Sequence, residues 1–371
     1  MFVAACPASA SVRPNDPLFP LAQPALDKIH VPEAWSITEG SPSTVVGVID
    51  SGVSPVPDLG GALLPGFDVD SGTADTTDYD RHGTAMASII AARIDNGLGS
   101  AGVCPQCRIL PVKGSLVKAI PWAVRHGARV LNMSVELGLY VQDPAVDDAV
   151  ADAVTHGVVV VLAAGNDASS DPGVNRLASD NPEAIRVAAV DRGGNLSSSD
   201  HGRWVDVAAS TPLVAEFPDG SYHEFSKTST ASAAVSGVVA LLLTRYPWLT
   251  PAQVKSVLMA TVTPESGLDV VSGGLVDAFR ALTAAPSLTK VLLHVTREGS
   301  GVVIGRPFIL CGTRCSASVQ HGTHLTLQVR PAAGWEFAGW SGACSGKRTA
   351  CLVVLDGPTA VTARFTRKAK R

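Results

Sequence analysis

Between residues 28 and 283 the chain alternates short, wholly apolar runs with longer segments of helical period. Residues 45–49, 108–112, 129–133 and 158–163 read as strands without a polar face, and 85–92, 120–126 and 145–155 read as helices between them. Residues 231–246 read as a long helix of small side chains. Thr250 and Pro251 then supply an N-cap and a first-turn proline for a helix over 252–260. Strands apolar on both faces and separated by helices predict an α/β domain, a doubly wound, mostly parallel sheet with helices on both sides. The pattern changes near residue 283. Residues 284–290 read as a linker. Beyond it apolar positions alternate with polar ones, as at Leu325, Leu327, Val329 and at Val361, Ala363, Phe365. That period of two predicts a small antiparallel β domain with one buried face over 291–371.

Composition fits this division. The 371 residues suit one large and one smaller domain, and 46% hydrophobic against 17% charged residues is ample material for a core. A net charge of −4 and a pI near 6.1 give no ground for a nucleic-acid partner or for electrostatic adhesion to anionic membranes. The basic cluster at 367–371 reads as a solvated end. No run reaches the ~18 apolar residues that span a bilayer. Residues 1–14 read as the remnant of a truncated signal peptide, because Ala8, Ser9 and Ala10 form a small-x-small cleavage site after a short apolar segment. A lipoprotein attachment site at Cys6 and a plain disordered terminus are the alternatives. Without Cys6, six of the seven cysteines remain as three close pairs, which suits disulfides in an oxidising, extracellular or cell-surface compartment.

Four segments carry chemistry. A serine hydroxyl is a weak nucleophile that needs a base, a group to orient the base, and donors for the oxyanion. Asp50 ends the strand 45–49, where a parallel sheet opens its ligand crevice. His82 opens a helix of small residues. Ser229 stands just ahead of the long helix, where a free N–H and the positive end of the dipole favour an oxyanion. Asn166 follows the strand 158–163 and offers an amide donor. Each alone has an ordinary reading: a strand-end aspartate, a capping histidine, an N-cap serine and a loop asparagine. Ser226, Thr228 and Ser232 compete with Ser229 as nucleophile on chemistry alone.

In this order Asp50-Ser51-Gly52, His82-Gly83-Thr84, Ala163-Ala164-Gly165-Asn166 and Thr228-Ser229 with Ala231-Ser232 resemble the subtilisin-like serine proteases, the subtilases of peptidase family S8. The resemblance runs from about residue 15 to 282 and includes 15–19, 109–113, 132–134, 204–208 and 274–278. It implies a monomeric serine endopeptidase that acts on proteins or peptides without a catalytic cofactor. Ser229 would attack the scissile carbonyl, His82 relay the proton, and Asp50 orient His82. The Ser229 N–H and Asn166 would hold the oxyanion. Ser134 and Val135 on one side, and Ala163, Ala164 and Gly165 on the other, would line the substrate cleft. Asp58, Asn96 and the Leu98 carbonyl resemble the positions at which the family ligates a structural Ca²⁺, and they are hard oxygen donors. A tight helix-terminating loop is the alternative there.

Three departures stand out. Lys227 replaces a usual glycine and Ala233 a usual proline. The segment 113–118 runs almost directly into the next helix, where the family carries a substrate-pairing strand. Glu136 replaces a glycine in the substrate-binding segment. They motivate an alternative, an inactive subtilase-fold binding protein. Cys104 and Cys107 admit a redox pair, half a zinc site or a disulfide; with no helix N-terminus to activate them, a disulfide is favoured. The C-terminal segment looks like a bacterial extracellular β-repeat module, stapled by Cys311–Cys315 and Cys344–Cys351 because its core is small. Trp335, Phe337 and Trp340 read as core and turn residues in preference to a sugar platform. A further alternative is a surface adhesin whose role lies in this module.

Overall fold

The computed structural model describes residues 11–22, 24–135, 138–139, 141–196 and 198–368; the cleavage and lipoprotein readings at residues 1–10 and the departure at Glu136 lie outside them. The chain divides into two compact units, one ending at Leu282 and the other beginning at Thr283.

In the first unit the strands are β1 (Val45–Ile49), β2 (Phe67–Asp68), β3 (Arg108–Lys113), β4 (Val130–Met133), β5 (Val159–Ala163), β6 (Ile185–Val190) and β7 (Val207–Ser210), the valine- and isoleucine-rich runs among them supplying β1, β3, β5 and β6. β8 (Leu213–Glu216) and β9 (Tyr222–Phe225) make a separate hairpin, and β10 (Thr263–Pro264) and β11 (Gly274–Leu275) complete the main sheet. Its order is β10-β11-β7-β6-β5-β4-β1-β3-β2, parallel except where β10 meets β11. β1 pairs with β3 on one side and β4 on the other. The chain therefore reverses its winding beside β1, and such a reversal leaves a crevice at the strands' carboxyl ends.

Helices cover both faces. Ala119, Ile120 and Ala123 of helix Leu116–Arg125 join Val146, Val150 and Ala153 of helix Pro144–Thr155 against Leu131, Met133 and Leu162. Asn132 points the other way and accepts a hydrogen bond from Ser236 of helix Lys227–Arg245 at 3.0 Å. That helix is the one among the described residues long and apolar enough to cross a bilayer, yet 83% of its most apolar 18-residue stretch is buried inside the protein, as befits the core helix of an α/β domain.

The expected linker is mostly helix: Ala278–Leu288 is helical and the next strand starts at Lys290. Pro286 reads as a breaker because it leaves the carbonyl four residues back without a partner. That carbonyl, of Leu282, accepts the Tyr246 hydroxyl at 2.8 Å, which makes the proline tolerable.

The second unit comprises β12 (Lys290–Glu298), β13 (Gly301–Gly305), β14 (Ile309–Cys311), β15 (Ser316–Gln320), β16 (Thr323–Pro331), β17 (Trp335–Gly342), β18 (Ala350–Leu355) and β19 (Thr359–Arg367). They form two four-stranded sheets, β15-β12-β19-β17 and β14-β13-β16-β18. Leu325, Leu327, Val329, Val361, Ala363 and Phe365 are all buried, as the alternation required. The domain is not wholly antiparallel, because β12 and β19 run parallel. Cys104–Cys107, Cys311–Cys315 and Cys344–Cys351 are disulfides.

Candidate active site

The crevice gathers residues from the ends of β1, β4 and β5. Asp50 follows β1, and its side chain is 3% exposed. Both its oxygens face His82 Nδ1, at 2.8 and 3.0 Å. His82 is the first residue of helix His82–Ala91, entered through Arg81 at φ 69°. Gly83 is needed at this junction: a Cβ there would stand 2.1 Å from the Gly52 oxygen. Phe225 of β9 meets the His82 ring edge-on at 5.7 Å. Burial opposes a charge on His82. The hydrogen bond and charge of Asp50, with the charges of Asp78 and Asp80, outweigh burial and raise its pKa above 6.5.

Asp78 is a residue that sequence reasoning missed. Its carboxylate accepts from the Arg81, Asp80 and Thr84 amides and from the Thr84 hydroxyl. It also takes Ser51 Oγ at 2.8 Å, so it ties the loop after β1 to the turn that presents His82. The signal was a carboxylate four residues ahead of the histidine, within capping reach of a helix start.

Ser229 lies inside the long helix, not ahead of it. Ser226 is the N-cap, which makes Ser229 the third helical residue. Its N–H is still one of the first-turn donors without an intrahelical acceptor. Its hydroxyl sits 3.5 Å from the Ser134 carbonyl oxygen. Ser229, His82, Phe225, Ser226, Lys227 and Glu224 line one cleft of about 360 Å³. Asn166 Oδ1 accepts from the Thr228 amide and hydroxyl, each at 3.1 Å, which fixes the amide plane beside the helix start.

Ser134 turns its side chain inward: Oγ lies 2.7 Å from Ser232 Oγ and donates to the Ser229 main-chain carbonyl oxygen at 3.1 Å. Val135 packs against the core beneath. The Ala163 and Ala164 oxygens accept from Asn175 Nδ2 at 3.1 and 2.9 Å. Gly165 turns the chain at φ 116°, where a Cβ would meet Asp200 Oδ2 at 2.2 Å. β3 connects to the next helix through Gly114 and Ser115 alone. Lys227 adopts φ 78°, a conformation suited to the glycine expected there.

The expected calcium positions do not fit a cation. Donors converge on Asp58: Asn96 Nδ2 at 2.7 Å, the Ser100 N–H at 3.0 Å and the Tyr222 hydroxyl. Asn96 Oδ1 is taken by the Leu98 N–H at 2.7 Å. Glu216 accepts the Asp58 N–H at 2.9 Å and shares Tyr222 with it. Burial pushes both carboxyls above their ordinary range. No group of three or more His, Cys, Asp or Glu among the described residues is placed to hold a metal.

A doubly wound sheet with an aspartate, a histidine and a helix-start serine around its crevice defines a class of hydrolase. Residues 41–281 match the subtilase family, and the chain belongs to that family of serine proteases. Residues 291–369 match the divergent InlB B-repeat domain. Thermitase of Thermoactinomyces vulgaris is 35% identical over 289 residues, covering 72% of this chain and 99% of thermitase. The thermophilic serine proteinase of Bacillus sp. strain AK1 is 36% identical over 247 residues, 63% of this chain and 60% of that protein. Among solved structures, a protease of Pseudoalteromonas arctica superposes with a TM-score of 0.65 at 28% identity, covering 73% of this chain and 99% of its own. MycP1 of Mycobacterium smegmatis does so with a TM-score of 0.63 at 27% identity, covering 74% and 88%.

Proposed function

We propose that this chain is a secreted serine endopeptidase that cleaves peptide bonds through an acyl-enzyme, with Asp50, His82 and Ser229 as triad. The observation that carries the reading is the bifurcated contact of the buried Asp50 carboxylate with His82 Nδ1, 2.8 and 3.0 Å, on one wall of a cleft that also holds Ser229. Nδ1 engaged by a carboxylate leaves Nε2 as the proton acceptor. For attack the Ser229 hydroxyl, now 3.5 Å from the Ser134 carbonyl oxygen, has to turn to that nitrogen across the shared cleft; apo catalytic contacts are commonly loose. Attack then places negative charge between the Ser229 N–H and the Asn166 amide, held by Thr228. His82 returns the proton to the leaving amine, and water hydrolyses the acyl-enzyme by the same route. The main chains of Ser134, Val135 and Ala163 to Gly165 receive the acyl side of the substrate.

The test is casein digestion by the purified chain. Wild type should cleave, phenylmethylsulfonyl fluoride should block it, and Ser229→Ala should lower kcat by at least ~10⁴. Equal inertness of folded wild type and Ser229→Ala would refute the reading in favour of a subtilase-fold binding protein.

A further inference from the structure

The net charge of −4 conceals a division. Residues 283–371 hold 12 of the chain's 29 Lys and Arg but 3 of its 33 Asp and Glu, a net +9 that leaves −13 for the rest. The basic character of this region is thus much wider than its last five residues, and such asymmetry between parts of a chain points to an anionic partner.

The structure arranges several of these cations along two clefts of this unit. One, about 310 Å³, is lined by Arg306 and by His324 and Arg330 of β16. The other, about 560 Å³, begins at the next residue, Pro331, and holds Lys347 and Lys368 beside Trp335 and Phe337. The Arg367 guanidinium lies 5.6 Å from the centre of the Trp335 ring and extends the cationic rim. Arg306, Arg330, Lys347 and Lys368 make no ion pair among the described residues. Of the three acids, Glu298 is held by Arg364 at 2.6 Å, Asp356 lines neither cleft, and Glu336 alone faces the second. Trp340 is core: it is 6% exposed and donates through Nε1 to the Arg348 oxygen at 2.8 Å. Trp335 and Phe337, by contrast, give the second cleft an apolar floor.

We propose that these two clefts bind an anionic glycan, a linear sugar polymer bearing carboxylate or phosphate groups. Arginine forks and lysine ammoniums match either anion. The indole and phenyl surfaces suit the apolar faces of sugar rings, and more than one cationic cleft suits a chain of repeating anionic units. The disulfides at Cys311–Cys315 and Cys344–Cys351 belong to an oxidising compartment, where surface glycans and not nucleic acids are the abundant polyanions. Bound this way, the unit would anchor the protease to such a polymer whatever the protease cleaves.

The experiment measures binding of the full chain to immobilised polygalacturonate, teichoic acid, neutral dextran and duplex DNA from 50 to 500 mM NaCl. At least one anionic glycan should bind roughly 100-fold tighter than dextran and weaken steeply with salt. Polygalacturonate and teichoic acid separate the carboxylate from the phosphate source. Lys347→Gln/Lys368→Gln and Arg306→Gln/Arg330→Gln should each lose roughly 10-fold, with a shallower salt dependence and an unchanged thermal unfolding curve. The pairs are changed separately, so poor folding of one leaves the other as the test. Equal binding to dextran, no binding to either glycan, or variants that bind like wild type would overturn the proposal. So would duplex DNA binding tighter than both glycans with the same sensitivity to the variants.

Discussion

His82 is where pH acts on the proposed chemistry. Only the neutral ring accepts the serine proton, and Asp50, Asp78 and Asp80 hold the ring's pKa above 6.5 against the opposing effect of burial. The ascending limb of kcat/KM against pH should therefore have its midpoint above 6.5. Asp50→Asn should move that limb downward and cut kcat roughly 10⁴-fold, since the tautomer and the stabilised imidazolium are lost together. A limb left in place would show that another group titrates. Lys227 bears on stability. A lysine at φ 78° costs about 1 kcal/mol relative to glycine, so Lys227→Gly should raise the melting temperature by a few degrees; a lower one would mean that its side chain earns more by contact than its backbone loses. Asp50, His82, Ser229 and Asn166 were legible because each sits in a short motif at a strand or helix end. Asp78 offered only its place within capping reach of the His82 helix; its tie to Ser51, 27 residues back, is closed only by the folded turn.

At the scale of elements, β1, β3, β4 and β5 and their intervening helices were readable from continuous apolar runs. The hairpin β8–β9 was not, since its second strand, Tyr-His-Glu-Phe, carries neither an apolar run nor a period-two alternation, its two central residues being exposed and its two ends half-buried. Yet that hairpin sets Phe225 beside His82 and brings Tyr222 to the loop over 95–100. The surroundings of Asp58 were hidden for the same reason: residue types at Asp58 and Asn96 suited a cation, but the fold turns an amide nitrogen, a main-chain N–H and a distant tyrosine hydroxyl onto the carboxylate. Stability should thus be indifferent to calcium. Melting curves with millimolar EDTA and with millimolar CaCl₂ are expected to coincide. Tyr222→Phe, which strips a donor from two buried carboxyls, should cost roughly 1–3 kcal/mol. A rise of several degrees with calcium would contradict this account of the loop.

For the whole molecule, the two units differ in how their small or large cores are secured. The first has a nine-stranded sheet between helical layers, and its one disulfide among the described residues joins Cys104 and Cys107, both 0% exposed. The second has two four-stranded sheets and two disulfides, across separations of 4 and 7 residues. Chain-entropy arguments give loops of that size about 2 kcal/mol each. For a domain of this size, losing about 4 kcal/mol corresponds to a fall in melting temperature of roughly 15–30 °C. Calorimetry in dithiothreitol should accordingly show the transition of the C-terminal unit displaced downward by that order, with the transition of the first unit nearly unmoved. Casein hydrolysis, if it resides in the first unit, should survive the same reductant. A single transition that shifts as one, with activity lost in step, would mean that the units fold cooperatively and that the β module supports the catalytic fold as well as any glycan it holds.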